Sequence, residues 1–220
     1  MEESLKELYE FYWEIKAAVA LYEVRFNKIP ADLLNEIRNT FDHVARCYVL
    51  HGIMSDAPNV EAVKRHLVRA RSHLERLHLD LYKLFILENV DQILLFENQF
   101  EQDLVTLKER PYPLPEVTRF QTWFYNERKT VDAIVTSAKI NESKQEDHGK
   151  KIELLTKARD CQEEFIDRLH AEYGTIQPYM KEAAEIVKKD RNRYNFATYV
   201  VPIIIAILCL IIGTIFGKLF

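Results

Sequence analysis

Fifty residues from Val60 to Glu109 contain neither glycine nor proline. A run of that length cannot be divided into strands and turns, because turns depend on those two residues. The whole chain holds only five glycines and seven prolines among 220 residues, and 48% of its residues are hydrophobic. The sequence therefore predicts an all-α fold, an antiparallel helical bundle with long helices.

Apolar residues spaced three and four apart mark five helical segments. In the third segment the spacing fits either one helix or two helices that meet near residues 84–92. In the fifth segment Gly174 and Pro178 are predicted to break the helix. The five segments cover residues 3–26, 31–51, 60–109, 116–144 and about 150 onward.

The C-terminal segment 197–217 reads ATYVVPIIIAILCLIIGTIFG, 21 residues without a charge. As a helix it is long enough to cross the ~30 Å hydrocarbon layer of a bilayer. Residues 188–193 precede it with four basic residues and one acidic residue, a bias that marks the cytoplasmic side. The sequence thus predicts a tail-anchored protein, with a cytoplasmic bundle over 1–187, a basic juxtamembrane segment over 188–196 and a transmembrane helix over 197–217.

Charge is distributed unevenly along the chain. Residues 188–220 carry +4 and residues 1–187 carry −8, giving the net charge of −4. An acidic body next to a basic collar fits a domain held at an anionic bilayer surface by its own anchor. It does not indicate broad binding of nucleic acid.

Small residues recur every four positions inside the predicted span, at Cys209, Gly213 and Gly217. The GTIFG pattern lets two helices approach closely in lipid. These three residues are the candidate packing face of a homo-oligomer. The alternative is that they reflect the ordinary frequency of glycine in membrane helices.

Cofactor and metal motifs are lacking in the sequence. Its three cysteines are widely spaced, and its histidines do not follow H-E-x-x-H spacing. There is no glycine-rich phosphate loop and no G-x-S-x-G motif. The sequence therefore predicts no metal site and no cofactor.

The stretch NEIRNTFDHVAR, residues 35–46, places charged and polar residues beside an apolar stripe on the second helix. Asn39 and His43 lie one turn apart, as do Arg38 and Asp42, which could form an ion pair. Helical spacing predicts the buried stripe to be Ile37, Phe41, Val44, Ala45 and Tyr48.

Within that stretch, RNTFDH resembles the R-x-x-x-x-H motif of the HEPN superfamily, all-helical domains found in many prokaryotic RNases, toxins and defence effectors. The resemblance implies a HEPN-like core over about residues 1–85, with Arg38, Asn39 and His43 as catalytic residues. In the family, Arg and His act on RNA phosphate, often across a dimer interface. An enzyme of this kind would be a metal-independent RNase; whether the chain is an enzyme stays open.

A second basic feature lies on the third helix, where cationic residues step by three and four along one face. The functional interpretation is a phosphate-binding patch for RNA or a nucleotide. The alternative is a solvated face balanced by acidic helices nearby. The candidate binding residues are His66, Arg69, His73 and Arg76.

Three functions follow from these patterns. The first is a membrane-anchored HEPN-like effector that acts on or senses RNA or a nucleotide in prokaryotic defence, either anti-phage or CRISPR-linked, with a protein partner from the same operon. The second is a non-enzymatic oligomeric effector or pore that perturbs the bilayer, similar in plan to CRISPR accessory membrane proteins. The third is a tail-anchored tether or adaptor.

Overall fold

The computed structural model describes residues 2–50, 59–107, 114–205 and 207. Every regular element in these residues is a helix and none is a strand, so the predicted all-α fold is confirmed. The helix bounds lie within a few residues of those that the apolar spacing predicts. The five long helices are α1 (Glu2–Phe26), α2 (Ala31–Tyr48), α3 (Val60–Leu107), α4 (Pro115–Glu142) and α5 (His148–Asn195).

The connection between α1 and α2 is short and is made by residues suited to it. Asn27 adopts the left-handed conformation, with φ of 52°, and its N–H donates to the Glu23 carbonyl at 2.7 Å. Asparagine tolerates that conformation better than most residues do, so it ends α1 at low cost. Pro30 follows in extended conformation and α2 begins at the next residue.

The 48-residue α3 is one helix, which decides between the two interpretations of its sequence. Its first turn is capped by Asn59, whose side-chain oxygen accepts from the Ala62 N–H at 3.0 Å. With no glycine or proline along its length, nothing in its backbone favours a break near residues 84–92.

The 48-residue α5 runs through Gly174 and Pro178, so the predicted breaks at these positions are wrong. Proline removes one backbone hydrogen bond, and its ring crowds the carbonyl four residues earlier, which here belongs to Gly174. Ile176 and Met180, on either side of the proline, are buried. Their packing holds the helix together, because tertiary burial outweighs a local propensity of this size.

Two compact units divide the chain, and the first comprises Met1–Leu94 and Asn126–Asp167. Residues 1–85 lie wholly within it. In α1 every seventh residue is buried, and these side chains pack on a matching row of α3. Tyr22 contacts Phe85 and Phe11 contacts His78, with ring centroids 5.1 and 5.7 Å apart, so α1 and α3 run in the same direction. The buried cluster that α1, α2 and α3 share is Leu8, Ile15, Tyr22, Leu33, Ala70, Leu74, Leu77, Leu81 and Phe85.

The second unit comprises Leu95–Tyr125 and Arg168–Phe220, of which residues 108–113, 206 and 208–220 are not described. Aromatic rings fill its core, with centroids 5.0–6.3 Å apart. The Tyr173 hydroxyl donates to Asp103 at 3.0 Å; burial together with this bond raises the pKa of Tyr173 to about 12. The core rings are Phe96, Phe100, Phe120, Phe124 and Tyr173.

Beyond Val187, the chain continues as helix with exposed side chains from Lys188 to Val200 and with a π-helical turn over Phe196–Val200. Within the described residues, no helix has both the length and the apolar character needed to cross a membrane. The predicted span over 197–217 is described only through residue 205 and at Ile207. The candidate packing residues Cys209, Gly213 and Gly217 lie outside the described residues.

Candidate functional site

The packing of α2 on α3 determines which polar side chains of α2 meet those of α3. Leu33, Thr40 and Cys47, seven residues apart, are the buried residues of α2. The Thr40 hydroxyl donates to the Glu36 carbonyl at 2.9 Å, which satisfies the hydroxyl inside the protein. The Cys47 sulfur lies 3.7 Å from the Val63 carbonyl on α3.

The predicted buried stripe of α2 is therefore rotated from the observed one, and the prediction is wrong for three of its five residues. Phe41 and Tyr48 are 54% and 48% exposed, and Ala45 is exposed too. Ile37 and Val44 are partly buried against the core, as predicted. The stripe centres on Thr40 instead of Phe41, because a satisfied threonine costs little to bury and the larger ring can rest on α1.

The rotation separates the residues of the RNTFDH motif. His43 is half-buried against α3, Asn39 is half-buried on α2 and Arg38 is exposed. Five residues of an ideal helix place Arg38 roughly 140° from His43. The two side chains share no hydrogen bond. Asp42 pairs with Arg46 at 3.0 Å, so the predicted Arg38–Asp42 ion pair is wrong.

Three histidines from the two helices meet, and we call His43, His66 and His73 the histidine cluster. The Nδ1 atoms of His43 and His66 lie 2.9 Å apart. The ring of His43 also stacks on that of His73, with centroids 5.3 Å apart and planes at 27°. The structure thus joins one predicted catalytic residue to two of the predicted phosphate-binding residues.

Glu36 fixes one end of the histidine cluster. Its Oε2 lies 2.6 Å from Nδ1 of His73, and Arg76 approaches the same nitrogen at 2.8 Å and the carboxylate at 3.7 Å. The carboxylate only accepts and the guanidinium only donates, so Nδ1 of His73 can hydrogen-bond to one of them at a time: with a proton it donates to Glu36, and without one it accepts from Arg76.

The register of the two helices explains these contacts. Glu36 and His43 are seven residues apart on α2, and they face His73 and His66, seven apart on α3 in the opposite direction. Side chains seven apart lie on one face of a helix, so an antiparallel pair brings both rows together. Sequence reasoning missed Glu36, although its position seven residues before His43 was the available signal.

The surroundings keep His43 and His66 neutral. Burial lowers the pKa of His43, and the neighbouring His66, His73 and Arg69 lower it further against the opposing effect of Asp42. Burial followed by nearby arginines likewise lowers the pKa of His66. Arg69 is exposed, lies one helical turn after His66 and is near enough to both rings to lower the pKa of His43 and of His66, so this predicted phosphate-binding residue is next to the cluster. A face with neutral imidazoles among arginines suits an anion better than a cation.

A second histidine pair lies elsewhere in the first unit. His78 Nδ1 and His148 Nε2 are 3.3 Å apart, and the ring of Phe11 meets both edge-on at 5.7 Å. Burial, together with the neighbouring His148, lowers the pKa of His78 to about 4. No sequence pattern indicates this pair, because its members are far apart in the chain and on different helices.

Among the described ranges, no group of three or more His, Cys, Asp or Glu side chains is arranged to hold a metal ion. Comparison with protein families, with curated proteins and with solved structures finds no match to this chain.

Proposed function

We propose that this protein is a membrane-anchored, HEPN-like antiparallel helical bundle that binds the phosphate of an RNA or a nucleotide at the histidine cluster. The observation that carries the proposal is the convergence of His43 with His66 and His73 beside Arg69. Imidazole and guanidinium groups are the side chains that hold phosphate oxygens and their charge. The uncharged run over 197–217 supports the anchor.

A cytoplasmic effector of prokaryotic defence would use this site to sense or to cut RNA. In the cutting form, a metal-independent RNase, His43 would move a proton during attack on the phosphate. Arg38 is exposed and has no ion pair to a described residue. A second copy of the chain could therefore receive Arg38 at its own site, the arrangement that the HEPN resemblance implies.

The binding test uses the full-length protein in detergent and a labelled single-stranded RNA. We expect His43→Gln and Arg69→Gln each to weaken binding by ~10–100-fold, because each removes a charge-assisted hydrogen bond. Two matched controls lie at exposed positions of the second unit, His170→Gln and Arg119→Gln, and they should bind as wild type does. Equal binding by all four variants would contradict the proposal. Cleavage products that wild type forms and His43→Gln does not would identify the enzyme.

A non-enzymatic oligomeric effector is the second candidate. It is favoured by the separation of Arg38 from His43 within one chain, since a sensor needs no catalytic pair. Here phosphate binding would act on an oligomer packed through Cys209, Gly213 and Gly217. Gly213→Leu with Gly217→Leu should shrink that oligomer, because bulk holds the helices apart. Sedimentation in detergent measures the change; an unchanged size would place assembly in the helical bundle.

A further inference from the structure

His43 and His66 share a single hydrogen bond, which limits how many protons the two rings can hold. With Nδ1 atoms 2.9 Å apart, one nitrogen donates its proton and the other accepts it with its lone pair. If both rings were protonated, two N–H groups would point at each other across this distance. The contact is therefore stable only while at least one of the two rings is neutral.

The charges around the rings leave an excess of positive potential. Both carboxylates are engaged, since Asp42 pairs with Arg46 at 3.0 Å and Glu36 contacts His73 at 2.6 Å. Arg65 and Arg69 form no ion pair to a described residue. The charged groups that face the cluster are Glu36, Asp42 and Arg46 from α2, and Arg65, Arg69 and Arg76 from α3.

An anion would reverse the preference for neutral rings. A phosphate oxygen placed between His43 and His66 accepts from both Nδ1 atoms, so the two N–H groups no longer oppose each other. The negative charge of the anion also offsets the arginines that disfavour imidazolium. In the free protein, burial and the arginines lower the pKa of both rings and favour their neutral forms. With the anion bound, the protonated form becomes the favoured one.

We propose that the histidine cluster takes up one proton from solvent when it binds phosphate, and that it prefers a terminal phosphate to a phosphodiester. The hydrogen bond between the two Nδ1 atoms breaks, and two N–H to oxygen bonds form in its place. A terminal phosphate carries up to two negative charges and three free oxygens, whereas a diester offers one charge and two. The substrate class is thus a nucleoside monophosphate or an RNA end. This inference rests on the proposed function.

The test is calorimetric titration of the full-length protein in detergent. The probes are inorganic phosphate, adenosine monophosphate and an adenosine dinucleotide with one diester and no terminal phosphate. Each titration is repeated in buffers with different ionisation enthalpies, which counts the protons taken up. Between pH 7 and 8 we expect uptake of about one proton and a roughly tenfold weakening of monophosphate binding, as one linked proton requires. The dinucleotide should bind at least about tenfold more weakly, for the loss of one charge-assisted bond.

The variant His66→Gln keeps a hydrogen-bonding side chain but cannot take up a proton. It should retain weakened phosphate binding with no proton uptake and little dependence on pH. The exposed control His170→Gln should keep the proton uptake and the pH dependence of wild type. Circular dichroism melts of wild type and the two variants should match. Binding without proton uptake, proton uptake that persists in His66→Gln, or equal affinity for dinucleotide and monophosphate would overturn this inference alone. Failure of RNA and of every phosphate probe to bind would overturn the proposed function as well.

Discussion

At the residue scale, the two groups of histidines in the first unit differ in what can reach them. The histidine cluster lies beside exposed Arg69, whereas His78 and His148 meet under the ring of Phe11. The first arrangement has an exposed guanidinium next to it that a ligand can reach. The second is part of the packing between helices, and its main effect is on stability.

That effect predicts a loss of stability in acid. The pKa of His78 is lowered from 6.5 to about 4 by burial and by His148, so the neutral ring is the form that the fold favours. Below pH 6.5 the unfolded chain binds a proton there and the folded protein does not, so the free energy of unfolding falls as the pH drops toward about 4. Urea titrations at a series of pH values measure this slope. His78→Gln should reduce this slope, whereas the control His170→Gln should leave it unchanged. Equal slopes in the two variants would contradict the assignment.

A second prediction compares two large side chains in the first unit. Leu74 is fully buried in the core, so Leu74→Ala should lower the free energy of unfolding by ~2–5 kcal/mol. Phe41 is 54% exposed and touches Tyr12 with ring centroids 5.6 Å apart, so Phe41→Ala should cost only ~0.5–1.5 kcal/mol. Chemical denaturation of the two variants gives both values. Equal losses in the free energy of unfolding would mean that Phe41 is buried, as the apolar spacing of α2 predicts.

The sequence predicts burial well where a helix has one dominant apolar stripe, and poorly where it has two. In α1 the three buried residues, Leu8, Ile15 and Tyr22, all belong to the apolar stripe that helical spacing predicts, which is Leu5, Leu8, Tyr12, Ile15, Val19 and Tyr22. In α2, two neighbouring stripes of residues satisfy the helical period. The buried one was not predicted because Thr40, at its centre, carries a hydroxyl and does not count as apolar. His148 enters its pair through a contact with a residue far away in the chain, which no local pattern can show. Glu36 had a local signal in its spacing from His43, but its contact with His73 depends on how α2 packs on α3.

At the element scale, α5 keeps two residues that disfavour a helix. A side chain at Gly174 would begin in open space, with no atom within 4 Å apart from its own helix backbone and chain neighbours, and both Gly174 and Pro178 are exposed. Local propensity predicted breaks at these positions because it does not include the burial of Ile176 and Met180. A residue that favours a helix more strongly should therefore stabilise the protein at either position.

Substitution of either residue by alanine should raise the free energy of unfolding. Gly174→Ala should raise the free energy of unfolding by ~0.5–1 kcal/mol and Pro178→Ala by as much as ~3 kcal/mol. Gly149→Ala is the matched control, because its new methyl group would lie 3.3 Å from the Asp147 oxygen that caps α5. It should gain less than Gly174→Ala does. Thermal melts rank the three variants, and destabilisation by Gly174→Ala would show that the backbone there is not an ordinary helix.

At the scale of the whole molecule, the proposed anchor predicts how the protein fractionates. Full-length protein should stay in the membrane pellet after alkaline carbonate treatment, because 21 uncharged residues at 197–217 lose their hydrophobic stabilisation outside lipid. A chain that ends at residue 196 should move to the supernatant. Release of the full-length chain would contradict the anchor.

The end of α5 has a further consequence for the proposed anchor. Val187 is the last buried residue in the part of the chain that the structure describes, and from Lys188 to Val200 the helix carries exposed side chains. In such a helix each added residue gives ~1.5 Å of length and ~100° of rotation. Two residues inserted after Lys189 would turn the proposed anchor by ~200° about the helix axis, whereas seven would add ~10 Å yet return it to within ~20° of its original direction. Comparing the two insertions separates a need for the right heading toward the bilayer from a need for the right distance.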